Sequence, residues 1–147
     1  MSTIRVQRED FDAGAEAKAL AHGRNDVGAV VTFTGRVRGD DGLGALTIEH
    51  YPGMTEREIA RHVREAEARW PLQDITIVHR VGRLEPGAQI VLVATASSHR
   101  KAAFEAAEFL MDYLKTRAPF WKEEERGGRR SWVAAKDSDE DDARRWR

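Results

Sequence analysis

The chain of 147 residues contains no cysteine. Disulfides, thiolate metal sites and a cysteine nucleophile are therefore excluded. It also lacks charge of one sign: 24 Lys and Arg stand against 25 Asp and Glu, a net charge of −1. Nucleic acid and anionic membranes select a basic surplus, so neither is an expected partner, and any anion site must be a local cluster. Long apolar runs are absent, and "MSTIRVQRED" has no apolar core of a signal peptide, which makes the cytoplasm the expected location. The five histidines form no His-x-x-x-His pair. Without thiolates a zinc site would need scattered ligands, so no metal and no cofactor are expected. "GDDGLG", residues 39–44, lacks the P-loop lysine and the dinucleotide-binding spacing. No repeat and no Pro-, Gly- or Ser-rich linker divides the chain, which points to a single domain over 1–147.

What is present is a regular alternation of elements. Ile4 and Val6 alternate with polar neighbours in a short strand, and "FDAGAEAKALAHG" reads as a helix closed by Gly23. "VGAVVTFTGRVR", 27–38, and "ALTIEHY" read as strands, hairpin-paired across the glycine loop. Thr55 and Glu58 have capping-box spacing before an amphipathic helix over 56–70, stopped by Pro71. "DITIVHRVG" and "AQIVLVATA" are strands joined through Pro86-Gly87. Ser97 or Ser98 caps a helix running to about Arg117, which Pro119 ends. "RRSWVAA" reads as a last strand, and the charged tail from Lys136 reads as partly mobile. Two hairpins favour a largely antiparallel sheet with helices on one face, an α+β fold.

Three clusters carry candidate chemistry. In "MDYLKTRAPFWKEEE", Lys115 lies in a last helical turn, where the dipole alone accounts for a lysine. The dipole does not account for Phe120-Trp121-Lys122 beyond the break. There, aromatics can wall a pocket while Lys122 turns back toward Lys115, and paired ammonium groups depress each other's pKa. Arg36 and Arg38 share one face at a strand end, a fit for phosphate or carboxylate. His99-Arg100 falls at a helix N-terminus, where free N–H groups favour an anion and a histidine can move a proton.

"GAVVTFTGRVR", "LTIEHYPGMTE", "RWPL", "VHRVGRLEPG", "SSHRKAAFEAAEFLMDYLKTRAPFWKEE" and "RWR" resemble the family of large, catalytic subunits of molybdopterin synthase, from about Gly28 to Trp146. The resemblance implies an α/β hammerhead-type fold and a sulfurtransferase of molybdenum cofactor biosynthesis. Such an enzyme turns cyclic pyranopterin monophosphate (precursor Z) into molybdopterin by installing two dithiolene sulfurs. It implies as partner a small ubiquitin-like subunit whose thiocarboxylated C-terminal Gly-Gly brings the sulfur, consistent with a chain that has no thiol of its own. Two large subunits would form a central homodimer within a heterotetramer.

By the resemblance, Lys115 and Lys122 are the catalytic lysines. Arg36, Val37, Arg38, His99, Arg100, Glu123 and Glu124 join them in binding substrate, and Phe33, Met111, Phe120, Trp121 and Lys136 line the pocket. The chain departs from the family at Gly39-Asp40-Asp41, where an Asn-containing loop is common, at Glu123, where a basic residue is frequent, and at Lys136, where an arginine is expected. Sixteen residues separate His99 from Lys115 in one expected helix, about 24 Å at 1.5 Å per residue. A pocket using both therefore calls for two copies of the chain. The rival readings are a non-catalytic scaffold for a Gly-Gly tail and a single-stranded RNA binder, the latter disfavoured by the near-neutral charge.

Overall fold

The computed structural model describes residues 2–133 and 137–146. In chain order the elements are β1 (Ser2–Gln7), α1 (Ala13–Ala21), β2 (Ala29–Arg36), β3 (Leu43–His50), α2 (Met54–Arg69), β4 (Leu72–Arg80), β5 (Gly82–Leu84), β6 (Gln89–Ser97), α3 (Arg100–Thr116), β7 (Phe120–Arg126), β8 (Arg129–Trp132) and α4 (Asp137–Arg144). They build two four-stranded sheets, ordered β1-β4-β6-β2 and β5-β3-β7-β8. Among the described residues only the β1–β4 pairing is parallel, so the α+β, largely antiparallel architecture holds.

β4 and β6 explain the first sheet. Ile75, Ile77, Val91 and Val93 point to one face and join Ile59, Val63, Phe109 and Leu110 of α2 and α3. Val78 and Leu92 meet Phe11 on the other face, where Ala94 and Ala96 receive Leu20 of α1. Strands buried on both faces read as continuous apolar runs, as these do. Helices therefore cover both faces rather than the expected one.

The expected hairpin of β2 with β3 does not form. β6 is buried on both faces and needs a strand at each edge; β4 supplies one and β2 the other. The loop after β2 instead carries the chain into the second sheet, where β3 pairs with β5 and β7. Val37 straps this crossing, its N–H donating to Ala88 O at 2.8 Å and its carbonyl accepting from Gly87 N at 2.8 Å.

The helix ends also differ from expectation. α2 starts at Met54, with the Glu56 carboxylate accepting the Gly53 N–H at 3.0 Å, so the capping residues lie two positions earlier than Thr55 and Glu58. Thr55 is fully buried and acts as a latch: its Oγ1 accepts from Tyr51 N at 2.9 Å and donates to Pro119 O at 3.0 Å. α3 is capped by His99 without a side-chain bond. Ser97 Oγ is turned to Pro71 O (2.8 Å) and Ser98 Oγ to Asp26 O (3.1 Å).

The charged tail is docked rather than mobile where it is described. α4 packs on α3, Ala143 is fully buried, and Arg117 bonds Glu140 at 2.9 Å. Trp146 meets Trp70 and Phe109 edge-on, and its Nε1 donates to Asp112 at 2.6 Å.

Candidate active site

A cleft of about 540 Å³ opens where the two sheets and the end of α3 converge. β2 and its extension contribute Phe33, Arg36 and Arg38; α3 contributes Met111 and Lys115; β7 contributes Phe120, Lys122 and Glu124. Asp139 of α4 closes one side, and His79, at the end of β4, lies in its wall.

Each placement has a local cause. α3 ends at Thr116, and Arg117 N and Ala118 N both donate to Tyr113 O, at 2.7 and 3.2 Å. Pro119 cannot continue the helix, and the Thr55 latch fixes its carbonyl. The chain re-enters as β7, with Ile48↔Lys122 and Leu46↔Glu124 in register on β3. Side chains alternate along a strand, so Phe120, Lys122 and Glu124 face the cleft while Trp121 and Glu123 face away. Trp121 is exposed beside Tyr51, ring centroids 6.3 Å apart, and Glu123 lies 3.8 Å from Arg130. Gly35 brings β2 close to β6: a Cβ there would stand 2.8 Å from Val91 Cγ1.

Four cations thus meet two carboxylates, Glu124 and Asp139, and Glu124 is already paired with Arg126 at 2.9 Å. Arg36 donates from Nε and Nη2 to Gly87 O at 3.2 and 2.9 Å, which fixes its guanidinium. Arg38 is mostly exposed and held by Asp40 at 2.9 Å. The carboxylate of the unusual Gly-Asp-Asp loop therefore competes for the arginine that an incoming anion would use.

Of the residues expected at the site, Phe33, Arg36, Arg38, Met111, Lys115, Phe120, Lys122 and Glu124 share this cleft. Val37 does not; it is buried with Ile48, Val81 and Leu84 between the sheets. Glu123 and Trp121 are on the opposite face of β7, and His99 and Arg100 lie at the far end of the unbroken α3. Lys136 lies outside the described residues. His79 and Asp139 were missed. The alternation Ile75, Ile77, His79 does put the histidine on the face turned to α2 and α3, the one sequence signal for it. Asp139 sits in a helix whose one apolar residue is Ala143, and had none.

His79 is 5% exposed, and its ring lies flat on Phe120, centroids 3.8 Å apart at 16°. Nδ1 is 2.8 Å from Arg80 O. Burial pushes its pKa down to about 3; the Arg80 carbonyl resists this, and the nearby cationic forms of Lys122 and His50 add to the fall. The imidazole is therefore neutral at physiological pH.

The MoaE protein family model matches residues 6–117, most of the chain. The chain belongs to the MoaE family. It is 59% identical over 148 aligned positions to the molybdopterin synthase catalytic subunit of Mesorhizobium japonicum, covering 99% of this chain and 93% of that one. Among solved structures, the molybdopterin biosynthesis MoaE protein of Burkholderia ambifaria superimposes with a TM-score of 0.86 at 50% identity, covering 99% of this chain and 98% of that one. Molybdopterin synthase of Staphylococcus aureus superimposes with a TM-score of 0.80 at 31% identity, covering 88% and 96%. The two superpositions show that this chain shares its overall fold with those solved structures. Among the described residues no helix is long and apolar enough to cross a membrane.

Proposed function

We propose that this MoaE chain is the catalytic subunit of a cytoplasmic molybdopterin synthase. It transfers sulfur from the thiocarboxylated Gly-Gly terminus of a small ubiquitin-like subunit to cyclic pyranopterin monophosphate, forming the dithiolene of molybdopterin. The observation that carries this reading is the cleft joining Lys115, Lys122, Arg36 and Arg38 in a chain of this family.

Both reactants are anions, a phosphorylated pterin and a thiocarboxylate, and the cleft offers four cations to two carboxylates. Lys115, exposed at the α3 C-terminus, holds and activates the thiocarboxylate or the pterin intermediate. Lys122, on the rigid β3–β7 ladder, stabilises charge developing during transfer. Arg36 and Arg38 take the phosphate, Arg38 exchanging Asp40 for it. A tail ending in glycine, which has no Cβ to clash, suits close passage along the Phe120 wall of the cleft. The thiocarboxylate sulfur bonds to a side-chain carbon of the pterin. Water then cleaves the acyl–sulfur bond, so that the sulfur stays on the pterin and the tail leaves as a carboxylate. A second thiocarboxylated tail brings the second dithiolene sulfur.

The same reading makes the working unit a homodimer of this chain flanked by small subunits. α3 runs unbroken from Arg100 to Thr116, so His99 and Arg100 cannot reach the cleft holding Lys115 of their own chain. In a two-fold dimer they complete the cleft of the other copy and add to its phosphate site.

The test is reconstitution with thiocarboxylated small subunit and the pterin precursor, followed by assay of molybdopterin. Product formation is expected. A complex that assembles but makes no product would leave only a scaffold for the Gly-Gly tail.

A further inference from the structure

Among the described residues, His79 is the one deeply buried ionisable side chain in the cleft wall that the proposed reaction does not yet use. A buried imidazole is costly unless its nitrogens are satisfied and its place is fixed. Two contacts fix it here: the flat stack on Phe120 and the 2.8 Å contact of Nδ1 with Arg80 O. A carbonyl oxygen only accepts, so Nδ1 must carry the proton. In the neutral ring this leaves Nε2 with a lone pair and no hydrogen.

The stack also crosses between the sheets. His79 belongs to β4 of the first sheet, and Phe120 opens β7 of the second, two residues before Lys122. Phe120 and Lys122 face the same side of β7, so the ring lies against the strand face that presents the lysine. The groups whose charge reaches His79 are Lys122 from β7 and His50 from β3. Of these, Lys122 lines the cleft with it.

We propose that His79 is a positioning residue for Lys122: anchored through Nδ1–H on the Arg80 carbonyl and clamped on the Phe120 ring, it offers Nε2 as a fixed acceptor to the lysine ammonium. A lysine is a point charge on a flexible stem, so a fixed acceptor narrows the directions its ammonium takes. A rigid acceptor in the cleft wall aims the ammonium at the reacting centre and favours its charged form. This role rests on the sulfur-transfer reading of the cleft, and the following measurements separate the two.

In the reconstituted complex, His79→Leu removes the acceptor while keeping an apolar side chain against Phe120. kcat should fall about 10- to 100-fold, the range for losing a hydrogen bond to a charged group, with little change in KM for the pterin. The alkaline limb of the kcat profile should move to lower pH, because Lys122 loses a partner for its ammonium. His79→Gln, whose Oε1 can accept near the position of Nε2, should recover most of kcat. A folded His79→Leu complex with unchanged kcat and pH profile overturns the proposal.

If His79→Leu fails to fold, nitrogen-15 NMR of the unsubstituted chain decides. The Nδ1–H tautomer should persist from pH 8 to pH 5, and Lys122→Met should move the Nε2 resonance. An Nε2–H tautomer, or an Nε2 signal indifferent to Lys122→Met, overturns the proposal. Absence of product with the unsubstituted chain refutes the sulfur-transfer reading, while the NMR result still stands or falls by itself.

Discussion

Mixing two inactive variants tests the shared cleft quantitatively. One chain carries His99→Ala and Arg100→Ala; the other carries Lys115→Ala. α3 separates the two groups by sixteen residues without a break, about 24 Å along its axis, far beyond what a histidine and a lysine side chain bridge. If each cleft takes Lys115 from one copy and His99-Arg100 from the other, either homodimer has two damaged clefts. Equal mixing with full exchange makes about half of all dimers mixed, and each mixed dimer has one intact and one doubly damaged cleft. Activity should therefore recover to about a quarter of the unsubstituted level, from near zero in either parent. The assay is molybdopterin formation with thiocarboxylated small subunit, with exchange verified by mass tags on the two chains. No recovery despite verified exchange would refute the shared cleft and return every working residue to a single chain.

Lys115→Ala should remove turnover yet barely change the melting temperature, because Lys115 is exposed in a last helical turn; a large drop would mean that its role is structural. Asp40→Asn should release Arg38 and lower KM for the pterin up to about five-fold, the scale of an exposed ion pair, leaving kcat alone; an unchanged or raised KM would refute competition by that loop. Trp146→Ala should cost about 3–5 kcal/mol in urea unfolding, since the ring packs on Trp70 and Phe109 and bonds Asp112; a loss under about 1 kcal/mol would contradict a docked tail. His79 also shapes stability against pH. Its folded pKa, pushed down to about 3, lies below the unfolded value, so the unfolded state binds more protons as pH falls below about 6.5. Stability should be full above that pH and fall on acidification by up to about 1.4 kcal/mol per pH unit from this group. Burial also lowers the pKa of His62, so it acts in the same direction. Urea midpoints of the unsubstituted chain and His79→Gln should therefore converge toward pH 4, and parallel curves would refute the assignment.

Local pattern was enough to find most elements and much of the cleft. The apolar runs of β4 and β6 and the Pro119 break are properties of short segments, and they place Lys115 at a helix end and Lys122 just beyond it. Arg36 and Arg38 sit beside the glycine loop, as their spacing implied. Pairing depended on distant segments. β2 chose β6 over its sequence neighbour β3 because a strand buried on both faces needs two edges covered.

That choice created the gap between the sheets in which the cleft lies. Only tertiary packing could make a helix of "DSDEDDAR", which has almost no apolar stripe and folds against α3 through Ala143, Glu140 and the following Trp146. "FWKEEER" likewise gave no strand signal. Its β form comes from pairing with β3, and that pairing turns Lys122 into the cleft and Glu123 out of it. His79 shows the division most directly. Its residue type and strand face were legible, but its neutral state was not, because that depends on burial against a phenylalanine forty-one positions away in the chain.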